Sequence, residues 1–438
     1  MREKKLQEEI AETLRDFLQG LRLEPLGLDG GIDSGAEEEL FRRMGQEAAK
    51  DALVKRWQEA DRVVDFECGS CGRKAKRLGT RVRRMQSLCG LMKIERQVYY
   101  CAECQRTEVP LDERLGIGEC GMTPGLMRVV CRTALELAYE QSQKLLSDTL
   151  GFTPCSAREV ERIAKEHGGK IESLMNQRGL SEIVSAHVRR RRKARYCLAI
   201  DGVMIAGLPD TETHRLAWHD VKVGVVFDSR RLDSTSYVAG RESVEPFGER
   251  LWNHIQVEGL DEKDFRLVLG DGAPWIWNLA DMHLPAVPQL LDLYHAAEHL
   301  SHTAKAVWPE KTADNWWRCR VTQLKEGRLE NFFASLKWLA RSSHSRNYRG
   351  EVNHSPERLL GYFLENKKRL NYRWASEQHL PIGSGTVESA ARHIVQQRLK
   401  QSGMRWSDPG AQAILNLRTI HRSNQFEQYW EGHCASSR

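Results

Sequence analysis

The stretch FRLVLGDGAPW, residues 265–275, and the earlier run ARYCLAIDG, residues 194–202, decide the fold of the second half of the chain. In each, a short apolar run ends in an aspartate next to glycine, at Asp271 and Asp201. Apolar runs bounded in this way are typical of buried strands. A third run, DVKVGVVFDS at 220–229, also ends in an aspartate, Asp228, followed by serine instead of glycine. The pattern predicts an α/β sheet with aspartates at its strand ends, where open α/β sheets bind ligands.

The segment after these runs is different in character. VPQLLDLYH at 287–295 predicts one more strand, and from 296 to about 380 the pattern is helical with no convincing strand. Five of the twelve tryptophans fall in this helical stretch, which indicates a packed body rather than a linker. We expect Trp316, Trp317 and Trp338 to lie mainly in the core, with base stacking as the alternative.

Composition restricts the class of protein. The chain has 438 residues, 66 Lys and Arg against 60 Asp and Glu, a net charge of +6 and a mean hydropathy of −0.56. It contains no apolar run of the ~18 residues that a membrane helix needs, and its charged N-terminus lacks the apolar region of a signal peptide. We therefore expect a cytoplasmic protein of several domains.

Cysteine spacing predicts a metal site. Two Cys-x-x-Cys pairs, Cys68/Cys71 and Cys101/Cys104, are separated by 29 residues, and strand-like sequence precedes each pair. Two such turns can supply the four thiolates of a tetrahedral Zn²⁺ site. An odd total of eleven cysteines without a secretory signal argues against a disulfide framework. Incidental cysteines are the alternative, and a zinc module can contact nucleic acid or be purely structural.

Residues 122–180 resemble a helix-turn-helix. A Gly-containing turn joins two helical patterns, and Ser156 with Glu159 three residues later forms a capping-box pattern. The candidate recognition helix, 156–167, carries Arg158, Arg162 and Lys165. Two antiparallel helices that do not contact DNA fit the same spacing.

A run of five basic residues comes after this region. Five consecutive positive charges on a hinge would bind a phosphate backbone, whereas an interdomain linker is the plain alternative. The run consists of Arg189, Arg190, Arg191, Arg192 and Lys193.

Near the C-terminus, the helical pattern 386–402 carries a carboxylate at an unusual position. A regular helical wheel places Glu388 inside the apolar arc, where burial is costly without a partner. Arg398 or solvent exposure of that turn would satisfy it. Three carboxylates meeting at a sheet edge would instead suit Mg²⁺, which supports phosphodiester chemistry. Arg398, Lys400 and Arg405 follow Glu388 and would contact the scissile phosphate of such a substrate or its flanking strand, or simply face solvent.

Taken together, these motifs resemble a known family. The order DGV at Asp201, GDGA at Asp271, DLYH from Asp292 to His295, and GSGTVES around Glu388 is similar to that of the DDE transposases of bacterial insertion sequences. The best match is the Kra-type (ISKra) family, related to the Mutator-like transposases. The resemblance implies a ribonuclease-H-like core in which Asp201, Asp271 and Glu388 form the catalytic triad and bind Mg²⁺ or Mn²⁺. It also implies supporting roles for Asp292, His295 and Arg398.

The most specific part of the resemblance is PIGSGTVESAARHIVQQRLKQSGMRWS at 381–407, and AYEQSQKLL at 138–146 extends it. It implies a multidomain α+β protein whose ribonuclease-H-like α/β core is interrupted by an all-α insertion. The expected segments are a helical region 1–60, a zinc-binding β module 61–119, a helix-turn-helix-like region 120–185, a basic hinge 186–195, the first part of the core 196–295, the insertion 296–380 and the C-terminal helices of the core 381–438.

In function, the resemblance implies a transposase that binds double-stranded DNA at the element's terminal inverted repeats and at the target. It would cleave and join strands as a homo-oligomer, most simply a dimer, associated with the nucleoid when DNA-bound. Two alternatives remain open at this point. One is a metal-dependent nuclease without strand transfer, and the other is a catalytically silent DNA-binding regulator.

Overall fold

The computed structural model describes residues 34–61, 66–118, 120–176, 194–342, 355–383 and 385–435, together with residues 8, 11, 12, 15 and 19. The chain divides into two compact units, which we call unit 1, Met1–Ile163 with Trp430–Arg438, and unit 2, Ala164–Tyr429. It is a mixed α+β protein, as the sequence predicts. Within the described residues no helix has both the length and the apolar character needed to cross a bilayer.

Unit 1 is built around a three-stranded antiparallel sheet in the order β1-β2-β3. Its core contains Met85, Met92 and Ile94 from the long hairpin, packed against Leu111 and against the apolar side of the first helix. The elements of unit 1 are α1 (Ser34–Ala60), β1 (Lys76–Ser87), β2 (Gly90–Cys101), β3 (Arg106–Glu108), α2 (Pro110–Arg114), α3 (Pro124–Ala134) and α4 (Tyr139–Leu150).

Helix α5 (Ala157–Asn176) is longer than the sequence pattern indicates. The Gly-Gly pair directly after the predicted recognition helix 156–167 lies inside α5, at Gly168 and Gly169. The reason is packing: a Cβ on Gly168 would lie 2.5 Å from Ala413, so only glycine allows this close approach. The side-chain amide of Asn416 also donates to the Gly168 carbonyl at 3.0 Å. These glycines therefore mark a contact rather than a helix end.

Unit 2 contains a five-stranded mixed sheet in the order β6-β5-β4-β7-β8. β4, β5 and β6 are antiparallel neighbours, whereas β7 and β8 run parallel to β4. The strands correspond to the apolar runs of the sequence. They are β4 (Tyr196–Pro209), β5 (Leu216–Asp228), β6 (Arg231–Gly240), β7 (Phe265–Gly270) and β8 (Gln289–Leu291), with α6 (Val244–Val257) and α7 (Pro274–His283) between them.

A helical body joins β8 to the last helices of unit 2, and its described residues contain no strand. It comprises α8 (Leu293–Val307), α9 (Glu310–Lys325), α10 (Leu329–Arg341), α11 (Pro356–Glu365) and α12 (Tyr372–Glu377). The chain then forms α13 (Gly385–Ala390), a π-helix (Ala391–Gln396), the single turn α14 (Gln397–Leu399), α15 (Asp408–Arg422) and α16 (Phe426–Ala435).

The tryptophans of this body are less buried than we expected. Trp316 and Trp317 are half-buried, and Trp338 is 57% exposed, so the prediction that it lies in the core is wrong. Phenylalanines occupy the centre instead, with Phe332 and Phe363 fully buried and their ring centroids 4.9 Å apart.

One buried ionisable group in unit 2 lies at the end of α6. Burial raises the pKa of Glu258 to about 7, and the amide of Gln425 donates to its carboxyl at 3.3 Å. His254, one turn earlier, donates to or accepts from the Ser236 hydroxyl at 3.0 Å, and burial lowers its pKa to about 4. Both groups are therefore disfavoured in their charged forms by the same apolar surroundings.

Candidate carboxylate site and metal centre

Three aspartates lie at matching positions on three neighbouring parallel strands. In the register of the sheet, Ile200 of β4 lies opposite Gly270 of β7, and Gly270 lies opposite Leu291 of β8. The residue after each is an aspartate, so Asp201, Asp271 and Asp292 succeed one another across the carboxyl ends of β7 and β8 and the adjoining part of β4. The sequence patterns thus bring these side chains to one edge.

Each aspartate is held by a nearby backbone N–H. The N–H of Gly202 donates to the Asp201 carboxylate at 2.7 Å, and that of Ala273 donates to the Asp271 carboxylate at 2.8 Å. Asp292 caps α8, where its carboxylate accepts from the N–H of Tyr294 at 2.7 Å. Asp292 is only 3% exposed, whereas Asp201 and Asp271 are half-buried and open to a ligand.

The electrostatics of this edge disfavour negative charge. The pKa of Asp201 rises to about 6, chiefly because of burial and then because of the nearby Asp271 carboxylate. Asp292 adds a smaller repulsion, while the N–H of Gly202 and the charge of His295 act in the opposite direction. Carboxylates that repel one another in a half-buried site are stabilised by a cation. The residues present therefore fit a divalent metal ion with oxygen ligands.

Two aromatic groups from the helical body support this edge, and the sequence patterns did not single them out for that role. The Tyr362 hydroxyl donates to the Asp271 carbonyl at 2.8 Å, and a Cβ on Gly272 would lie only 2.8 Å from the Tyr362 ring. Gly272 has a φ of +103°, which favours glycine for a second reason. His299 lies against Tyr362 with ring centroids 4.3 Å apart, and His295 lies 5.2 Å from His299. His295 is close enough to Asp201 for its charge to act on that carboxylate.

Glu388 differs from the sequence expectation. It lies on α13, which packs against β4 and β5, but its side chain is exposed rather than part of the apolar arc. The wheel fails because the helix is not regular: the π-helix from Ala391 to Gln396 adds a residue to the turn and so rotates the later apolar residues relative to Glu388. Solvent exposure of that turn, one of the alternatives from the sequence, is the observed one.

The chain nevertheless brings α13 close to the aspartates. The Leu293 N–H, directly after Asp292, donates to the Ile382 carbonyl at 3.1 Å. Gly383 lies so close to Tyr294 that a Cβ there would be 2.4 Å from the ring. Glu388 comes a few residues after this contact, so the segment that carries it starts at the aspartate edge.

Among the described residues, only a group of four cysteines in unit 1 places three or more Asp, Glu, His or Cys ligand atoms within 4.8 Å of one another. Asp201, Asp271 and Glu388 do not meet at that distance. The edge therefore collects aspartates, with Glu388 on an adjoining helix.

Arg398, Lys400 and Arg405, the basic residues that the sequence singled out, have different surroundings. Arg398 is 1% exposed, and its guanidinium lies 4.9 Å from the centre of the Trp406 ring. The alternative that Arg398 faces solvent is therefore wrong, because stacking on Trp406 buries it. Lys400 and Arg405 are exposed and accessible to a ligand.

The four predicted cysteines of unit 1 converge. The Sγ atoms of Cys68, Cys71, Cys101 and Cys104 all lie within 4.8 Å of one another, with Cys68 and Cys104 at 3.8 Å and Cys71 and Cys101 at 3.6 Å. Gly72, at φ +68°, closes the first Cys-x-x-Cys turn, in which its N–H donates to the Cys68 carbonyl at 2.9 Å. This group can hold one metal ion, and four sulfur donors are compatible with zinc.

Nearby groups adjust the acidity of these thiols. The Cys104 N–H donates to the Cys101 sulfur and lowers the pKa of Cys101 to about 7. Glu108, whose carboxylate accepts from the Cys68 thiol at 3.0 Å, raises the pKa of Cys68. A metal ion that replaced these protons would bind thiolates, the form in which cysteine ligates metals.

The helix-turn-helix region has the local geometry that its sequence predicts. Gly151 ends α4 in the left-handed region at φ +74°, and the N–H of Glu159 donates to the Ser156 hydroxyl while the Ser156 N–H donates to the Glu159 carboxylate. Arg158 and Arg162 are exposed and Lys165 is half-buried. The basic run 189–193 lies outside the described residues.

The fold and the two sites define a two-unit α+β protein with a four-cysteine group that can hold a metal ion and with aspartates gathered at one end of a mixed sheet. A family model described as "Uncharacterised protein family (UPF0236)" matches residues 36–428, so the chain belongs to the UPF0236 family. A relative from Streptococcus gallolyticus, described as a UPF0236 protein in vanSb 3'region, is 22% identical over 450 residues, covering 96% of this chain and 87% of the relative.

Proposed function

We propose that this protein is a DDE-type DNA transposase, in which Asp201, Asp271 and Glu388 hold Mg²⁺ or Mn²⁺ and act on DNA phosphodiesters. The observation that carries the proposal is the register that sets Asp201 beside Asp271 on two central parallel strands. The sheet order β6-β5-β4-β7-β8, with the first three strands antiparallel and the last two parallel to β4, agrees with the order expected of a ribonuclease-H-like core. That arrangement supports assigning such a core to unit 2.

The helical body supports the same assignment. It enters after Asp292 and leaves before α13, which is the place where the resemblance to Kra-type transposases implies an all-α insertion. Its Tyr362 contacts the backbone of Asp271, so the body also helps to fix the second aspartate of the proposed triad.

The reaction would consist of two successive nucleophilic displacements at phosphorus. In the first, a water oxygen attacks the phosphorus at the element end, the bond to the 3′ oxygen breaks, and a 3′-hydroxyl and a 5′-phosphate result. In the second, that 3′-hydroxyl attacks a target phosphate and displaces the target's 3′ oxygen. Bound Mg²⁺ would activate the attacking oxygen and stabilise the leaving one. Asp201 and Asp271 would supply oxygen ligands, and the exposed side chain of Glu388 would complete the set by changing its rotamer.

The test uses the full chain and duplexes that end in the DNA flanking the coding sequence. We expect nicking and joined products with millimolar Mg²⁺ or Mn²⁺, and neither with Ca²⁺ alone. Asp201→Asn, Asp271→Asn and Glu388→Gln should each lose at least about a hundredfold in rate, as removal of a metal ligand does. Glu377→Gln, which changes an exposed carboxylate on α12, serves as the matched control and should keep wild-type activity.

The products distinguish the alternatives. Nicked DNA without joined strands would indicate a nuclease, and DNA binding without Mg²⁺-dependent nicking would indicate a silent regulator. Full strand transfer by Glu388→Gln would refute the triad. Zinc bound at Cys68, Cys71, Cys101 and Cys104 would stabilise the fold of the unit 1 module for DNA recognition. The protein would act on the element ends as a homo-oligomer, most simply a dimer.

A further inference from the structure

The most concentrated positive charge in the chain outside the basic run 189–193 lies on the zinc module. Residues 73–84, RKAKRLGTRVRR, contain seven Arg and Lys among twelve residues and no Asp or Glu. This segment forms β1 and the turn that leads into it from the first cysteine pair. None of these side chains is among the DNA contacts that the sequence motifs predicted.

β1 is an edge strand, because the sheet order is β1-β2-β3. Six of the seven basic side chains are exposed, and only Arg83 is half-buried. Arg83 and Arg96 both bind the Asp112 carboxylate and so serve the fold of unit 1. Arg73 pairs with Glu103. The exposed basic side chains of β1 can meet one external partner together only if they face the same way.

A β-bulge makes two of them do so. The register shifts between Arg77 and Gly79, so Arg77 lies opposite Tyr99 and Arg84 lies opposite Lys93. Tyr99 and Lys93 are six residues apart on β2 and therefore point to the same face of the sheet. Without the bulge, Arg77 and Arg84 would point to opposite faces. Arg77, Arg84 and Lys93 are all exposed on this face, which we call the hairpin face, whereas Tyr99 beside Arg77 is buried with its ring centroid 4.9 Å from that of Phe66.

Six residues of strand span roughly 20 Å, and a two-stranded β-ribbon fits the major groove of duplex DNA. Among the described residues, the structure records no ion pair for Arg77, Arg84 or Lys93. Glu95, opposite Val82, carries one negative charge on the hairpin face and limits its net charge.

We propose that the hairpin face binds the phosphate backbone of duplex DNA. This inference deepens the proposed function, on which it rests, by naming a surface that takes the DNA. The partner is identified by its chemistry, a regularly spaced polyanion wide enough to meet side chains at both ends of the hairpin. The plain alternative is that charge on an exposed edge strand merely prevents edge-to-edge association.

The test compares two triple variants of the full zinc-loaded chain. Arg77→Gln/Arg84→Gln/Lys93→Gln neutralises the hairpin face. Arg266→Gln/Lys325→Gln/Arg328→Gln makes the same charge change at exposed positions of unit 2 and is the matched control. Zinc content and the far-UV circular dichroism spectrum of each variant show that it folds.

Binding to a fluorescent duplex of random sequence is measured by anisotropy over a series of salt concentrations. Each lost phosphate contact lowers the slope of log K against log salt by about 0.9, so the hairpin variant should lose about 2 to 3 from the slope. Its affinity at about 0.1 M salt should fall at least about tenfold, because those contacts supply counterion release. The control should keep the wild-type slope, and Glu95→Gln should bind more tightly.

Three outcomes would overturn the inference. A hairpin variant with the control's slope would refute the surface while leaving the proposed function intact, provided that the wild type binds DNA. Association of the hairpin variant into larger species with unchanged DNA affinity would assign its charges to edge protection. The third outcome comes from the same titration with a fluorescent single-stranded RNA: a loss of affinity confined to that RNA would replace DNA with RNA as the partner. A wild type that binds no duplex at any salt concentration would instead refute the proposed function itself.

Discussion

Replacing Asp201 by asparagine should have opposite effects on stability and on activity. The carboxylate is half-buried and faces Asp271, and its pKa is raised to about 6 from an ordinary value of 3.8. Asparagine keeps the size of the side chain and an oxygen that can accept from the Gly202 N–H. It removes the charge that the surroundings disfavour. We therefore expect a more stable protein that has lost Mg²⁺-dependent activity.

The magnitude comes from the pKa. A raised pKa means that the folded protein holds a proton which the unfolded chain has released, so the wild type loses stability as the pH rises from 3.8 to about 6. That difference corresponds to about 3 kcal/mol above pH 6 as an upper limit. Asp201→Asn should recover up to about 3 kcal/mol at neutral pH and should differ little from the wild type below about pH 4.

The assay is chemical denaturation of the full chain, monitored by tryptophan fluorescence, over this pH range with and without Mg²⁺. Without metal, the wild-type midpoint should fall as the pH rises from about 4 to 6, while the variant's midpoint stays flatter. With millimolar Mg²⁺, the wild type should gain stability by mass action and Asp201→Asn should not.

Two results would refute this reasoning. One is a variant that is less stable than the wild type at neutral pH, which would mean that the Asp201 carboxylate contributes favourable contacts. The other is equal stabilisation of both proteins by Mg²⁺, which would place any bound cation away from Asp201. Asp281→Asn, at an exposed carboxylate on α7, controls for a general effect of charge.

Three further predictions concern the rest of the fold. Cys101→Ala should remove the bound zinc, measured as one metal ion per chain in the wild type, and should make unit 1 susceptible to limited proteolysis; retained zinc would contradict the four-sulfur site. Glu258→Gln should stabilise unit 2 by up to about 3 kcal/mol at about pH 8 and not at about pH 4, because the raised pKa of Glu258 costs stability as pH rises from 4.5 to about 7; denaturation midpoints that shift equally at both pH values would exclude this cause. Gly168→Ala should destabilise the protein by about 1 to 3 kcal/mol, because its Cβ would clash with the Ala413 backbone. Gly169→Ala, with open space around it, should stabilise the protein by about 0.5 to 1 kcal/mol. Thermal denaturation of both variants measures these effects, and similar effects at the two sites would rule out the packing explanation.

Some of the site could be predicted from local sequence because local physics determines it. An apolar run that ends in Asp-Gly predicts a strand end, which is correct at Asp271, directly after β7, but wrong at Asp201, because β4 continues to Pro209. The two aspartates are nevertheless brought together by the register of β4 and β7. The spacing within Cys68/Cys71 and Cys101/Cys104 likewise encodes a metal-binding turn, and two such turns on one sheet converge. The capping box between Ser156 and Glu159 involves two residues that are three positions apart, so the local sequence is enough to predict it. The zinc itself, the Mg²⁺ and the DNA stay predictions.

The errors arise where tertiary packing overrides local pattern. A π-helix leaves no mark in hydrophobic periodicity, so the wheel placed Glu388 on the wrong side. Gly168 is a typical breaker in sequence and a close contact in three dimensions. Arg398 is charged but stacks in the interior, and Trp338 is apolar but exposed because the helical body has a phenylalanine core. The contact of Gly168 depends on Ala413, far away in the chain, whereas Glu388 and Arg398 depend on an irregular helix and on nearby Trp406.

The hydrogen bond between the Leu293 N–H and the Ile382 carbonyl has a consequence for how this protein can change over evolutionary time. The helical body leaves the sheet and returns to it at a single point, so its two ends are held together whatever lies between them. Loop-closure entropy grows only slowly with length, which makes insertions and deletions in such a segment inexpensive in free energy. The length of the body can therefore drift while Asp292 and the start of α13 keep their places. Tyr362, which contacts the Asp271 backbone from within the body, is the point where such drift would be restrained.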